Sequence, residues 1–217
     1  MKKRVLIVIV VCALILSVIL VAGYGVNSED PYFLAGLFFR DQEKNNTRDD
    51  GVLASYHGTN ITRNMVDYQR NMNILRDEET AQEYTTDRQI VDNLIKEKIL
   101  LEEAQRLGLT ATQEQIDKMV DDVWLSYSIP EGKEMIDAYL EGAGMAFEEY
   151  VQLIEQLAPA IIAKQNVRAW VAKQYCDENG LEYPMVNPPR EMLQAQDDYV
   201  ENLLREKKSE VVYYIDD

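Results

Sequence analysis

Two short stretches of β-forming residues stand at opposite ends of a chain that is otherwise patterned for helix, and they restrict its fold more than any other feature. Val52-Leu53-Ala54-Ser55-Tyr56 reads as a strand closed by a turn at His57-Gly58-Thr59-Asn60, and Glu210-Val211-Val212-Tyr213-Tyr214-Ile215 reads as another. A lone strand leaves its backbone N–H and C=O groups unpaired and has no face to bury. The two are therefore expected to pair with each other, as a small two-stranded sheet that clamps together the ends of the body.

Between them the pattern is helical. Thr62 is placed to cap a helix running to about Arg76, with Met65, Val66, Met72 and Leu75 near one face. The polar stretch Asp77 to Thr85 reads as a loop. Thr86 opens a strong helix in which Ile90, Val91, Leu94, Ile95, Ile99, Leu101, Ala104 and Leu107 keep helical spacing, and Gly108 sits where a terminating glycine belongs. Thr112 and Gln115 form a capping-box pattern ahead of Ile116, Met119, Val120, Val123 and Trp124, a helix reaching about Tyr127. Pro130 begins a shorter helix that Gly142 and Gly144 are expected to end. Phe147 to about Tyr175 is a long helix that Pro159 should kink or split, because proline removes a backbone hydrogen bond. After Asn179-Gly180, Pro184, Pro188 and Pro189 mark a stiff connector to a last helix over Glu191–Lys208.

The N-terminus is a separate matter. Met1-Lys2-Lys3-Arg4 precedes 18 consecutive residues, Val5 to Ala22, with nothing more polar than Cys12 and Ser17. An apolar helix of about 20 residues spans a bilayer's hydrocarbon core, and the basic cluster should stay cytoplasmic, which puts the rest on the far side. Val21-Ala22-Gly23 offers small residues for signal cleavage, but the apolar run exceeds a usual signal core. Residues 1–25 are accordingly read as a signal anchor or signal peptide, 26–51 as a linker, and 52–217 as the functional domain, with its closing helix and strand at 190–215. Within the linker lies an apolar patch, Tyr32 to Phe39, holding three of the four phenylalanines. It could dock on the domain, sit at a membrane interface, or occupy a binding groove.

The formal charge is −16, from 22 basic and 38 acidic residues. Setting aside Lys2, Lys3 and Arg4 leaves 19 basic against 38 acidic, or −19 for the body. Such a surface is repelled by phosphate backbones and anionic lipid, so nucleic acid is excluded as a partner. Only Cys176 lies outside the apolar run, so the domain cannot form an internal disulfide.

The residues Leu53 to Val66, with a strand, a glycine turn, Ile61-Thr62 and then a helix, resemble the opening of the SurA N-terminal and PrsA chaperone family. A second stretch is more specific: Ile90 to Leu101, then Ala104, then Leu107-Gly108-Leu109-Thr110, followed at family spacing by the capped Thr112-Gln113-Glu114-Gln115-Ile116. The Gly144 to Tyr150 start of the long helix and the Leu204 to Val211 terminus are also similar, so the resemblance covers roughly residues 52–215. It implies a mainly α, multi-helix scaffold, related in architecture to the trigger factor C-terminal domain and here preceded by a transmembrane helix. Family members often carry a parvulin-type prolyl isomerase domain between the long and closing helices. Here that interval is Cys176 to Pro188, 13 residues, too few for a folded domain. The first-helix capping box also departs from the family, with Met65 where an acidic residue belongs.

No catalytic, metal-binding or cofactor constellation is legible. His57 is the sole histidine, and adjacent acidic pairs such as Glu102-Glu103 and Asp121-Asp122 splay apart on a helix. What remains is apolar surface chemistry. Met65, Met72, Met119, Trp124, Tyr127, Met135, Tyr139, Phe147 and Tyr150 are the candidate peptide-binding residues, since flexible thioethers and aromatics repack around varied partners. With the family resemblance, they imply an extracytoplasmic, ATP-independent, non-catalytic chaperone for unfolded or secreted polypeptides, tethered to the cell membrane by its N-terminal helix and free to form a homodimer. The alternative is an envelope scaffold for one dedicated protein partner.

Overall fold

The computed structural model describes residues 30–45, 51–76, 86–183 and 187–215. The order of elements is α1 (Pro31–Asn45), β1 (Val52–Tyr56), β2 (Thr59–Thr62), α2 (Arg63–Arg76), α3 (Asp87–Leu107), α4 (Gln113–Tyr127), α5 (Pro130–Ala143), α6 (Phe147–Asn179), α7 (Arg190–Lys207), a 3₁₀ turn (Lys208–Glu210) and β3 (Val211–Tyr213). The expected signal anchor, the Asp77–Thr85 loop apart from its final Thr86 boundary, and Pro184 in the connector lie outside the described residues. Within the described residues, no helix is long and apolar enough to cross a membrane.

β1 does pair with the C-terminal strand. The register is antiparallel, with Ala54 opposite Tyr213, Ser55 opposite Val212 and Tyr56 opposite Val211, and Tyr214 N–H donates to the Leu53 carbonyl at 2.8 Å. The sheet has three strands rather than two, in the order β2-β1-β3. Thr59-Asn60, expected as the end of a turn, instead begin a strand, Thr59–Thr62, that pairs antiparallel with β1. The hairpin turn uses only His57 and Gly58, both in the left-handed region at φ 45° and 77°. Positive φ at both central positions is what a two-residue hairpin with native strand twist requires. Thr62 then caps α2, its Oγ1 accepting from Met65 N–H at 3.4 Å.

The sheet buries its inner side against α3. Leu53, Ala54, Tyr56, Ile61, Val66 and Val211 pack with Ile90, Val91, Ile95 and Ile99 of α3 and Leu204 of α7. α3 forms because its ends are specified as well as its face: Thr86 and Gln89 make a reciprocal capping box, and Gly108 closes the helix at φ 67°. A second face of α3, Leu100 and Ala104, meets Ala163 and Val167 of α6 and Val200 of α7. One helix thus carries two packing surfaces.

The other end of the molecule is built around α6, whose 33 residues extend for about 50 Å. Its first half packs with α4 and α5 through Met119, Val123, Ile136, Leu140, Phe147, Tyr150, Ile154 and Ile162. Pro159 does not divide α6. Pro159 and Glu155, whose carbonyl would have accepted the missing N–H, are both exposed, so water can satisfy the freed acceptor. Gly142 does not end α5 either. It lies inside the helix, and Gly144 alone provides the left-handed cap. Cys176 is fully buried, with its Sγ 3.8 Å from Met192 Sδ.

The α3–sheet interface predicts a steep local contrast in mutational cost. Ile95→Ala should lower unfolding free energy by about 2–5 kcal/mol through lost burial and a residual cavity. Val212→Ala, on the exposed side of β3, should change it by no more than about 0.5 kcal/mol. Denaturant titration of the two variants checks the contrast, and equal costs would contradict it.

Candidate polypeptide-binding groove

The apolar patch in the 26–51 segment is a helix, α1, lying against α5 and α2. Of the roles left open by its sequence, docking on the domain is the one observed. Ala35 is wholly buried with Met72 and Leu75 of α2, and Tyr68, Met135 and Tyr139 close around them. Phe39 stands over Tyr139 with ring centroids 6.3 Å apart. Asn64 Nδ2 donates to the Gln42 carbonyl at 2.9 Å, fixing the far end of α1 to α2.

The contact with α5 is between backbones. A Cβ on Gly36 would stand 2.1 Å from the Tyr139 carbonyl oxygen, and one on Gly142 would stand 2.0 Å from the Phe33 carbonyl oxygen. Two glycines facing each other across a crossing let the main chains meet where any side chain would hold them apart. The close approach gives Gly142, in the last turn of α5, a packing role rather than a capping one. A cleft of about 460 Å³ lies beside α1 at Phe38, Asn64 and Tyr68, and a shallow one of about 540 Å³ lies on α5 beside Asp30, Lys133 and Asp137.

The nine candidate binding residues divide into three groups. Met72, Met135 and Tyr139 line the groove that α1 fills. Met119, Tyr127, Phe147 and Tyr150 belong to the α4–α6 core, with Trp124 at its rim. Met65 packs on the sheet cluster. In the second group the rings form a stack: Tyr127 lies on Phe147 at 3.8 Å, and Trp124 meets it edge-on at 4.8 Å. Lys133 sits 4.6 Å from the Tyr127 ring centroid, and the Tyr127 hydroxyl donates to Asp137 at 3.0 Å. Of the nine, Trp124 is the one openly exposed, at 48 %. Tyr139 joins the first two groups, its ring 5.6 Å from that of Tyr150. Burial pushes the hydroxyl pKa values of Tyr139 and Tyr68 above the ordinary tyrosine value, so both remain neutral. Tyr68 and the Gly36–Gly142 pair were not among the candidates. The isolated glycine within the apolar spacing of α5 was the available signal.

A separate polar cluster holds the ends of the chain together. His57, in the hairpin turn, meets Glu102 of α3 through Nδ1 at 2.7 Å and Glu210 of the 3₁₀ turn through Nε2 at 2.6 Å. Tyr56 donates to the other oxygen of Glu102 at 2.6 Å, and Lys207 lies 3.9 Å from Glu102 and 3.6 Å from Glu210. Partial burial opposes ionisation of Glu102, but hydrogen bonds from Tyr56 and His57 and the nearby cations carry its pKa below the usual value. The Glu102 hydrogen bond foremost raises the His57 pKa above the ordinary 6.5, with Glu210 adding to it.

With this geometry in place, the sequence comparison has a structural counterpart. A family model described as the SurA-like N-terminal domain matches residues 1–133, more than half of the chain. The chain belongs to that family. The match takes in the hairpin, α2, α3, α4 and the start of α5, and ends before the long helix and the closing strand. No curated protein and no solved structure matches the chain.

The His57 cluster sets a pH dependence with a definite sign. A folded-state pKa raised above the unfolded value contributes stability that is complete below about pH 6.5 and is lost as pH rises through the folded value. Neutral imidazole can donate from only one nitrogen, which leaves the other facing a carboxylate. Asparagine tolerates the positive φ at this position, so His57→Asn removes the titration with little strain. The melting-temperature advantage of wild type over His57→Asn should be largest at pH 6 and shrink by pH 8.5. An advantage that is constant across this range would contradict the assignment.

Proposed function

We propose that this protein is an extracytoplasmic, ATP-independent chaperone of the holdase type, which binds unfolded secreted or envelope polypeptides without catalysing prolyl isomerisation. Its N-terminal apolar segment tethers it to the cell membrane, and its partners are polypeptides rather than nucleic acid. Family membership supports the reading at the level of class. The single observation that carries it further is the α2–α5 groove, which already holds a short, aromatic-rich polypeptide segment, α1 of the same chain. A groove lined by Met72, Met135, Tyr68 and Tyr139 suits varied apolar side chains, because thioethers repack at little cost. The connection from α6 to α7 runs only from Gly180 to Pro189, which favours a role based on binding.

One observation favours a second reading, an envelope scaffold for a dedicated partner. The Gly142 notch admits only a segment with a glycine or equally bare backbone at the crossing, and such shape selection suits one partner better than many.

The full chain, purified in detergent, should suppress aggregation of a chemically unfolded model protein at near-stoichiometric ratios and without nucleotide. Cis/trans exchange in a proline-containing peptide should proceed at its uncatalysed rate. Absence of suppression by folded protein would sink the chaperone reading, and accelerated exchange would sink its non-catalytic part.

A further inference from the structure

α1 is bound by a narrow strip of itself. Ala35 and Gly36 are its only buried residues, whereas Phe33, Leu34, Leu37, Phe38 and Phe39 are each left partly exposed. A helix that belongs permanently to a core normally buries its largest apolar side chains and exposes its small ones. Here the order is reversed. The docked state also carries a polar defect: Arg40 Nε is buried without a hydrogen-bond acceptor among the described residues, and Asp41 Oδ1 stands 3.7 Å away. Undocking would return that N–H to water. On the receiving side, the fit is one of shape, the Gly142 notch taking the backbone of Phe33 to Leu37.

We propose that α1 is a displaceable occupant of a helix-binding groove on α2 and α5, and that it competes in cis with the segment the groove takes in trans. That segment is a short amphipathic helix with a small residue at its centre and aromatic residues on either side, the chemistry of Phe33-Leu34-Ala35-Gly36-Leu37-Phe38-Phe39 itself. The proposal rests on the polypeptide-binding reading and adds regulation to it: the groove is closed until α1 leaves. The apparent Kd for binding in trans is then the intrinsic value divided by the fraction of molecules in which α1 is undocked.

The two glycines separate occupant from receptor. Gly36→Leu places a side chain on α1 against the Tyr139 carbonyl, so α1 is expelled while the groove is unchanged. Gly142→Leu expels α1 too, but fills the notch that any segment in trans must use. A fluorescent synthetic peptide with the wild-type sequence of residues 30–45 is the probe, and anisotropy is the readout. The Gly36→Leu chain should bind it at least tenfold more tightly than wild type, and the Gly142→Leu chain should not bind it more tightly than wild type. Hydrogen exchange should show residues 31–45 losing protection in both variants while β1 and α3 keep theirs. Equal binding by wild type and Gly36→Leu would overturn the proposal, as would tight binding by Gly142→Leu. Loss of protection in β1 and α3 of the Gly36→Leu chain would overturn it as well, because α1 would then be part of the core. If the peptide results hold but neither wild type nor Gly36→Leu suppresses aggregation, the groove stands and the chaperone reading fails.

Discussion

β1 is hydrogen-bonded along both edges, to β2 on one side and to the last strand of the chain on the other, and the rest of the architecture depends on that arrangement. Joining Tyr56 to Val211 closes a loop of more than 150 residues, at an entropic cost of about 4–5 kcal/mol. Two or three fully buried side chains at about 1.5–3 kcal/mol each offset it, and Tyr56, Ile61 and Val211 supply them where the sheet meets α3. Once the sheet is fixed on one face of α3, the other face is committed to α6 and α7. The position of α6 in turn sets that of α4 and α5, and so of the wall against which α1 lies.

Features of the chain that specify themselves locally were legible in its sequence. Thr86, Thr112 with Gln115, and the glycines at 108, 144 and 180 fix helix ends through backbone chemistry that needs no partner; the Gln89 half of the Thr86 capping box was not read from the sequence. Pairing of β1 with the C-terminal strand was legible for a different reason, because unpaired backbone cannot be left in either. β2 was hidden because Thr59-Asn60-Ile61-Thr62 carries one buried apolar residue, Ile61, and otherwise has turn composition; its strand character comes from the pairing to β1. The tolerance of Pro159 and the role of Gly142 depend on their surroundings in space: the solvent-exposed side of α6 at Glu155 and the backbone of α1 at Gly142. Spacing alone could not separate core from groove among Met72, Met119, Met135, Tyr139 and Phe147, because every one of them faces inward from its own helix.

The surface proposed for binding is smaller and better defined than a diffuse field of methionines and aromatics. It is the strip between α2 and α5, and a segment of the same chain fills it. Its edges carry carboxylates of the receiving helices, Asp67 of α2 on one side and Glu134, Asp137 and Glu141 of α5 on the other, within a chain of formal charge −16. At the sheet, the His57 cluster holds the C-terminal strand to the hairpin and to α3 through Glu210 and Glu102, so mild acidity strengthens that clamp.

The central claim is that this groove receives many different polypeptides in the cell. It is tested most directly by placing a photo-crosslinking side chain at position 135, under α1, in the full-length protein and sequencing what it captures on illumination of living cells. A chaperone groove yields adducts with many unrelated exported polypeptides. A single dominant adduct would contradict that account, as would adducts confined to the chain's own residues 31–45.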